Sequence, residues 1–115
     1  MQKDILFLLA PGFEDNGRRE YCPECAEIWG VLQYYPAILP SLEIQYQPIA
    51  KPRQQIVNLL GEAHQNCPTL LVMDRQSVPA PQGLKITGEH HFLDNARDIG
   101  RYFAQKFGTP VPRGD

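Results

Sequence analysis

Cys22 and Cys25, separated by two residues in the segment Tyr21-Cys22-Pro23-Glu24-Cys25, are the pair in this 115-residue chain whose type and spacing offer chemistry. A C-x-x-C pair in a reducing compartment carries out thiol–disulfide exchange or ligates a metal more often than it forms a structural bridge. The segment stands where a strand has ended and a helix is about to begin. A helix N-terminus presents unpaired N–H groups and the positive end of the macrodipole, both of which favour an anion. A cysteine there has its thiolate stabilised, and the thiolate is the species that attacks disulfides or binds metal. Pro23 suits the first helical position, where its missing N–H costs nothing. Glu24 opposes the thiolate by like-charge repulsion, and Arg18 and Arg19 in the preceding segment offset it. Exchange would proceed by attack of one thiolate on a disulfide, then displacement of the product by the second thiol about one helical turn on.

The elements that position this pair follow from the hydrophobic pattern. Residues 5 to 10 are continuously apolar, as expected of a strand buried on both faces. Pro11 and Gly12 end it, and residues 11 to 21 read as a loop with a turn at Asn16-Gly17. A helix runs from Pro23 to about Tyr35, with Ala26, Trp29, Leu32 and Tyr35 near one face. The segment SLEIQYQPI alternates, with Leu42, Ile44 and Tyr46 on one side and Glu43, Gln45 and Gln47 on the other, which predicts an edge strand. Pro52 opens a short helix that Gly61 stops. Residues 68 to 73 form another apolar strand, 74 to 83 a Pro-rich loop, and Leu84 to Thr87 a brief strand broken by Gly88. A last helix is expected from about Phe92 to Phe107, with Phe92, Ala96, Ile99, Tyr102, Phe103 and Phe107 at helical spacing and Gly108 as its cap.

This order, β-α-β-α-β-β-α, predicts an α/β domain over residues 1–108 with a mixed four-stranded sheet and helices on its faces. The first two strands are parallel across a helix crossover. The two strands after Gly61 are too closely connected for a crossover and are antiparallel. Residues 109–115 have nothing to pack against and form a disordered C-terminal tail.

Composition narrows the function classes. The length supports one domain with its own core. A formal charge of −2 and no basic stripe give no electrostatic case for nucleic acid. The N-terminal apolar run is too short for a bilayer span and unlike a signal peptide, which points to the cytoplasm and no membrane partner. Three cysteines, an odd number, argue against a disulfide-stapled secreted scaffold.

With YCPEC at the first helix, NCPTLLVM before the third strand and LKITGEHHFLDNARDI at the end, the chain resembles the thioredoxin-like superfamily, glutaredoxins most closely. YCPECAEIWGVLQYYP and LLGEAHQNCP also resemble a bacterial thioredoxin-like family of unassigned function. The resemblance implies a thioredoxin-like fold and a thiol–disulfide oxidoreductase. Cys22 would be the exposed nucleophile, Cys25 the resolving thiol, and Pro68 a cis-proline that sets the backbone of Cys67 against them. Tyr21, Pro23, Cys67, Thr87 and Gly88 would line the substrate site, with the turn at Thr87, Gly88 and Glu89 contacting glutathione as a possible co-substrate. Glu89 departs from that pattern by setting a negative charge where a carboxylate should bind. The substrate would be a protein or a low-molecular-weight disulfide.

Two other classes stand beside this one. If Pro68 is cis, Cys22, Cys25 and Cys67 form a sulfur set for zinc or an iron–sulfur cluster, with His64, His90 or His91 as a fourth ligand. The fold also serves as a non-catalytic interaction module, with the groove beside Pro68, or Trp29, Tyr34 and Tyr35, as the binding surface.

Overall fold

The apolar run after Lys3 becomes the spine of the sheet. In the computed structural model, which describes residues 2–114, strand β1 (Asp4–Leu9) has Leu6, Phe7 and Leu8 wholly buried. It pairs in parallel with β4 (Leu42–Gln47) on one side and antiparallel with β5 (Thr69–Val72) on the other. Strand β7 (His90–Leu93) lies antiparallel to β5, and β6 (Lys85–Thr87) closes the far edge against β7. The order β4-β1-β5-β7-β6 is a mixed, five-stranded sheet. The parallel first pair and the edge position of β4 agree with the sequence pattern.

The fifth strand corrects the expected count of four. His90–Leu93 is extended, so β5 and β6 are not neighbours and β7 runs between them. The last helix, α3 (Ala96–Phe107), accordingly begins at Ala96 and not at Phe92. Asn95 starts it: its side-chain oxygen accepts the N–H of Asp98 at 2.9 Å, the N-cap bond that defines a helix start. Phe92 belongs to the core from the strand side. In an apolar run this short, periodicity does not separate strand from helix.

Residues 11 to 21 also hold more structure than a loop. Strands β2 (Phe13–Asp15) and β3 (Arg18–Glu20) form a hairpin. Asn16 and Gly17 both take positive φ, 54° and 71°, the backbone that a two-residue hairpin turn of this type demands.

Helix α1 (Pro23–Tyr34) buries Cys25, Ile28 and Leu32. Of the face expected, Leu32 is in the core and Trp29 and Tyr35 pack partly buried against it, whereas Ala26 is exposed and Cys25 and Ile28 are buried instead. A short 3-10 turn (Pro36–Ser41) leads into β4. At the end of β4 the alternation inverts: Tyr46 is exposed and Gln47 is buried, its amide donating to Gln55 Oε1 at 2.6 Å. Helix α2 (Gln54–Leu60) buries Ile56 and Leu60 and starts two residues after Pro52. Helix α3 contributes Ile99, Tyr102 and Phe103 to the same core cluster; each large apolar side chain buried there contributes roughly 1.5–3 kcal/mol over exposure.

Two buried charges fix the loops around this core. Arg53 donates from Nε to the Pro48 carbonyl, from Nη2 to Ile49 and from Nη1 to Gln65, at 2.8 to 2.9 Å. It thereby holds the segment that precedes Cys67. Asp4 accepts the N–H groups of Met73 and Asp74, the Tyr102 hydroxyl at 2.6 Å and the Lys106 ammonium at 3.1 Å. The tail expected to lack a packing surface has one: Pro112 lies against Gly100, and the Arg113 carbonyl accepts from Arg97. Among the described residues no helix is long and apolar enough to cross a membrane.

Candidate active site

Cys22 is the N-cap of α1. Its sulfur accepts the N–H of Cys25 at 3.2 Å, and its carbonyl accepts from Ala26 at 3.0 Å. Pro23 occupies the first helical position, as its fixed φ and absent N–H require. The side chain of Cys22 is half-buried and its S–H donates to the Cys67 carbonyl across 3.7 Å. The Cys67–Pro68 peptide bond is cis. Two segments distant in sequence thus meet at one sulfur: the first turn of α1 and Cys67, two residues before β5.

Cys25 lies one turn deeper, and its sulfur accepts the N–H of Leu9 at the end of β1. Burial raises its thiol pKa well above the ordinary value, and the hydrogen bond with Cys22 adds to the rise. Burial likewise pushes the Cys67 thiol up to about 11, with the Arg53 guanidinium pulling in the opposite sense. All three cysteines are free thiols. Cys22, half-buried, is the accessible sulfur; Cys25 and Cys67 are covered and stay protonated near neutrality.

Tyr21 and Pro23 flank Cys22 at the surface beside Arg18 and Arg19. Thr87 and Gly88 do not join them. The register pairs Leu70 with Leu93 but Val72 with His91 and Thr87 with His90. The Thr87–Gly88 turn is therefore at the opposite end of the sheet from Pro68; His90 alone is three residues, about 10 Å, beyond Leu93. From that side it is Asp94 that meets the segment before Pro68: the Asn66 amide donates to the Asp94 carbonyl at 2.6 Å. The Asp-Asn step marks this turn in the sequence, and a helix expected from Phe92 covers it; the helix starts at Ala96.

Glu24 also acts elsewhere than its position between two cysteines suggests. Its carboxylate crosses to α3 and accepts the N–H of Ala96 at 2.9 Å. The charge expected to oppose a thiolate is spent on the N-terminus of the neighbouring helix. Trp29 lines a groove next to Cys22 and Cys25.

The histidines expected as metal ligands have other places. His64 packs against the Phe92 ring at 5.0 Å, and His90 and His91 belong to β7 and not to a helix start. Among the described residues no group of three or more His, Cys, Asp or Glu side chains is arranged to hold a metal ion.

A family model described as a protein of unknown function, DUF3088, matches residues 3–111. The chain belongs to this family. No curated protein and no solved structure matches it. In this DUF3088 protein the three thiols and their surroundings are the candidate chemistry.

Proposed function

We propose that the chain is a thiol–disulfide exchange protein of thioredoxin-like fold, with Cys22 as the attacking thiol and Cys25 as the resolving one. The observation that carries this reading is the Cys22 sulfur at the α1 N-cap, receiving the Cys25 N–H while facing the backbone of Cys67. Of the three free thiols, Cys22 is the one that is not buried, and attack on a disulfide needs an accessible sulfur. The mixed sheet, the C-x-x-C at a helix start and the cis Cys67–Pro68 bond support the fold resemblance.

In the reaction, the Cys22 thiolate attacks one sulfur of a disulfide R–S–S–R′. A Cys22–S–S–R mixed disulfide forms and R′–S⁻ departs. The Cys25 thiol then attacks the Cys22 sulfur, its proton passing to the second departing thiolate, and R–SH leaves. The substrate is reduced by two electrons and the protein is left with a Cys22–Cys25 disulfide, which an external dithiol must reduce. A reducing compartment such as the cytoplasm supplies that reductant. Cys67 is the third participant by position, since its carbonyl meets Cys22.

Glutathione is poorly matched to this site. The turn expected to hold it lies at the far end of the sheet, and the first N–H of α3 is already taken by Glu24. The metal reading gains no donor set from the histidines.

The test is reduction of a small disulfide with dithiothreitol as the recycling dithiol. Cys22→Ser should abolish turnover while leaving the circular dichroism spectrum intact. Cys25→Ser should trap the mixed disulfide, visible as an added substrate mass. Retention of turnover in Cys22→Ser would sink the assignment.

A further inference from the structure

A groove of about 640 Å³ opens beside Cys22, between the end of β1, the β2–β3 hairpin and α1. Its volume is that of a small-molecule site, typically about 300–1,000 Å³. Its floor is one face of α1, where Cys22, Cys25, Ala26 and Trp29 follow at helical spacing. Ala26 is exposed, and its methyl leaves the floor open next to the indole. Leu9 and Pro11 make the adjoining wall apolar.

The polar rim is asymmetric in charge. Arg18 is neutralised by Glu20 at 2.7 Å. Glu20 and Arg19 line the groove and Arg18 does not; Arg19 faces Glu14 across the hairpin register and makes no ion pair among the described residues. An apolar slot with the Cys22 sulfur at its mouth and the Arg19 guanidinium, free of a close ion pair among the described residues, on its rim selects a particular chemistry. The guanidinium fork suits a planar carboxylate. An aromatic face suits the indole wall.

We propose that this groove binds the aromatic body of a low-molecular-weight disulfide bearing a carboxylate, with Arg19 pairing the carboxylate and Cys22 attacking the sulfur. This rests on the exchange reading and names the substrate class of the same site. The groove is lined by the end of β1, the hairpin and α1, and by neither Pro68 nor the Thr87–Gly88 turn.

Trp29 is the single tryptophan of the chain, so its fluorescence reports the groove directly. The unreactive anion 4-nitrobenzoate should quench it saturably, in the wild type and equally in Cys22→Ser. Arg19→Glu should weaken that binding about tenfold and leave the neutral 4-nitrobenzamide unchanged. Ala26→Phe, at an exposed helix position, should abolish both. Non-saturable quenching, or titrations indifferent to Arg19→Glu and Ala26→Phe, would overturn the groove assignment.

Reaction is read separately. Cys22 should react faster with 5,5′-dithiobis(2-nitrobenzoate) than its Arg19→Glu variant does, by a similar factor, whereas bis(2-hydroxyethyl) disulfide should not distinguish the two. An equal loss with both disulfides would show that Arg19 acts on the thiol and not on the ligand, and would overturn the ion pair. Saturable binding with no reaction of Cys22 toward either disulfide would overturn the exchange reading instead.

Discussion

Burial holds two of the three thiols in their neutral form, and the consequence is a fold that weakens in alkali. The Cys67 thiol rises from an ordinary 9.0 to about 11, and Cys25 rises further in the same direction. As pH climbs past 9, the unfolded chain releases these protons first and the folded chain retains them. The unfolded state then binds fewer protons, so stability is full below the ordinary thiol value and is lost as pH rises through 11. Urea denaturation midpoints measured across pH 8 to 11 should fall progressively, and a Cys67→Ala variant should flatten part of the decline. Alkylation should follow the same logic: Cys22 is modified first, and Cys25 and Cys67 react only when the protein opens or the solution is strongly alkaline.

Helices α1 and α3 are joined by side chains that leave one element to complete the other. The Glu24 carboxylate caps Ala96 at the start of α3, and Arg97 on α3 reaches back to Glu27 on α1 at 3.1 Å. The first contact satisfies an otherwise orphaned N–H at the positive end of a helix; the second is an exposed pair and contributes little. Glu24→Ala should therefore cost about 1 kcal/mol, seen as a fall of about 4 °C in melting temperature. Glu24→Gln keeps the acceptor and should recover most of it, whereas Glu27→Ala should change the melting temperature little. If Glu24 instead acts by repelling the thiolate, Glu24→Gln would leave stability unchanged and accelerate Cys22 alkylation.

Over the whole molecule, β1 connects two ends with different duties. At its C-terminal end the Leu9 N–H holds the Cys25 sulfur; at its N-terminal end Asp4, 1% exposed, gathers β1, the segment after β5 and α3 through Tyr102 and Lys106. Truncating Asp4 leaves a hydroxyl, an ammonium and two backbone N–H groups short of their acceptor. Asp4→Ala should cost about 3 kcal/mol or more, with Asp4→Asn losing less. At a temperature where both proteins remain folded, the alkylation profile of Cys22 should be unaltered by either change.

The residues that offered chemistry were legible in the chain because their signal is local. Cys22-Pro23-Glu24-Cys25 combines a helix-start proline with a C-x-x-C spacing, and both act within one turn of helix. The apolar run of β1, its parallel pairing with β4 and the edge position of β4 followed from patterns of similar range. Short apolar runs carried less: His90–Leu93 fits a strand or a helix start, and only pairing with β5 and β6 made it a strand. That one element displaced Thr87 and Gly88 from the site and brought Asp94 to the segment before Pro68. Where a charge points is likewise invisible in sequence. Glu24 is two residues from Cys22, yet its carboxylate is set by an N–H of Ala96, 72 positions away. Local patterns in the chain mark the C-x-x-C pair and the strands and helices of strong period. Tertiary structure decided which side chains share a site, because register, burial and long-range hydrogen bonds join residues that no local pattern relates.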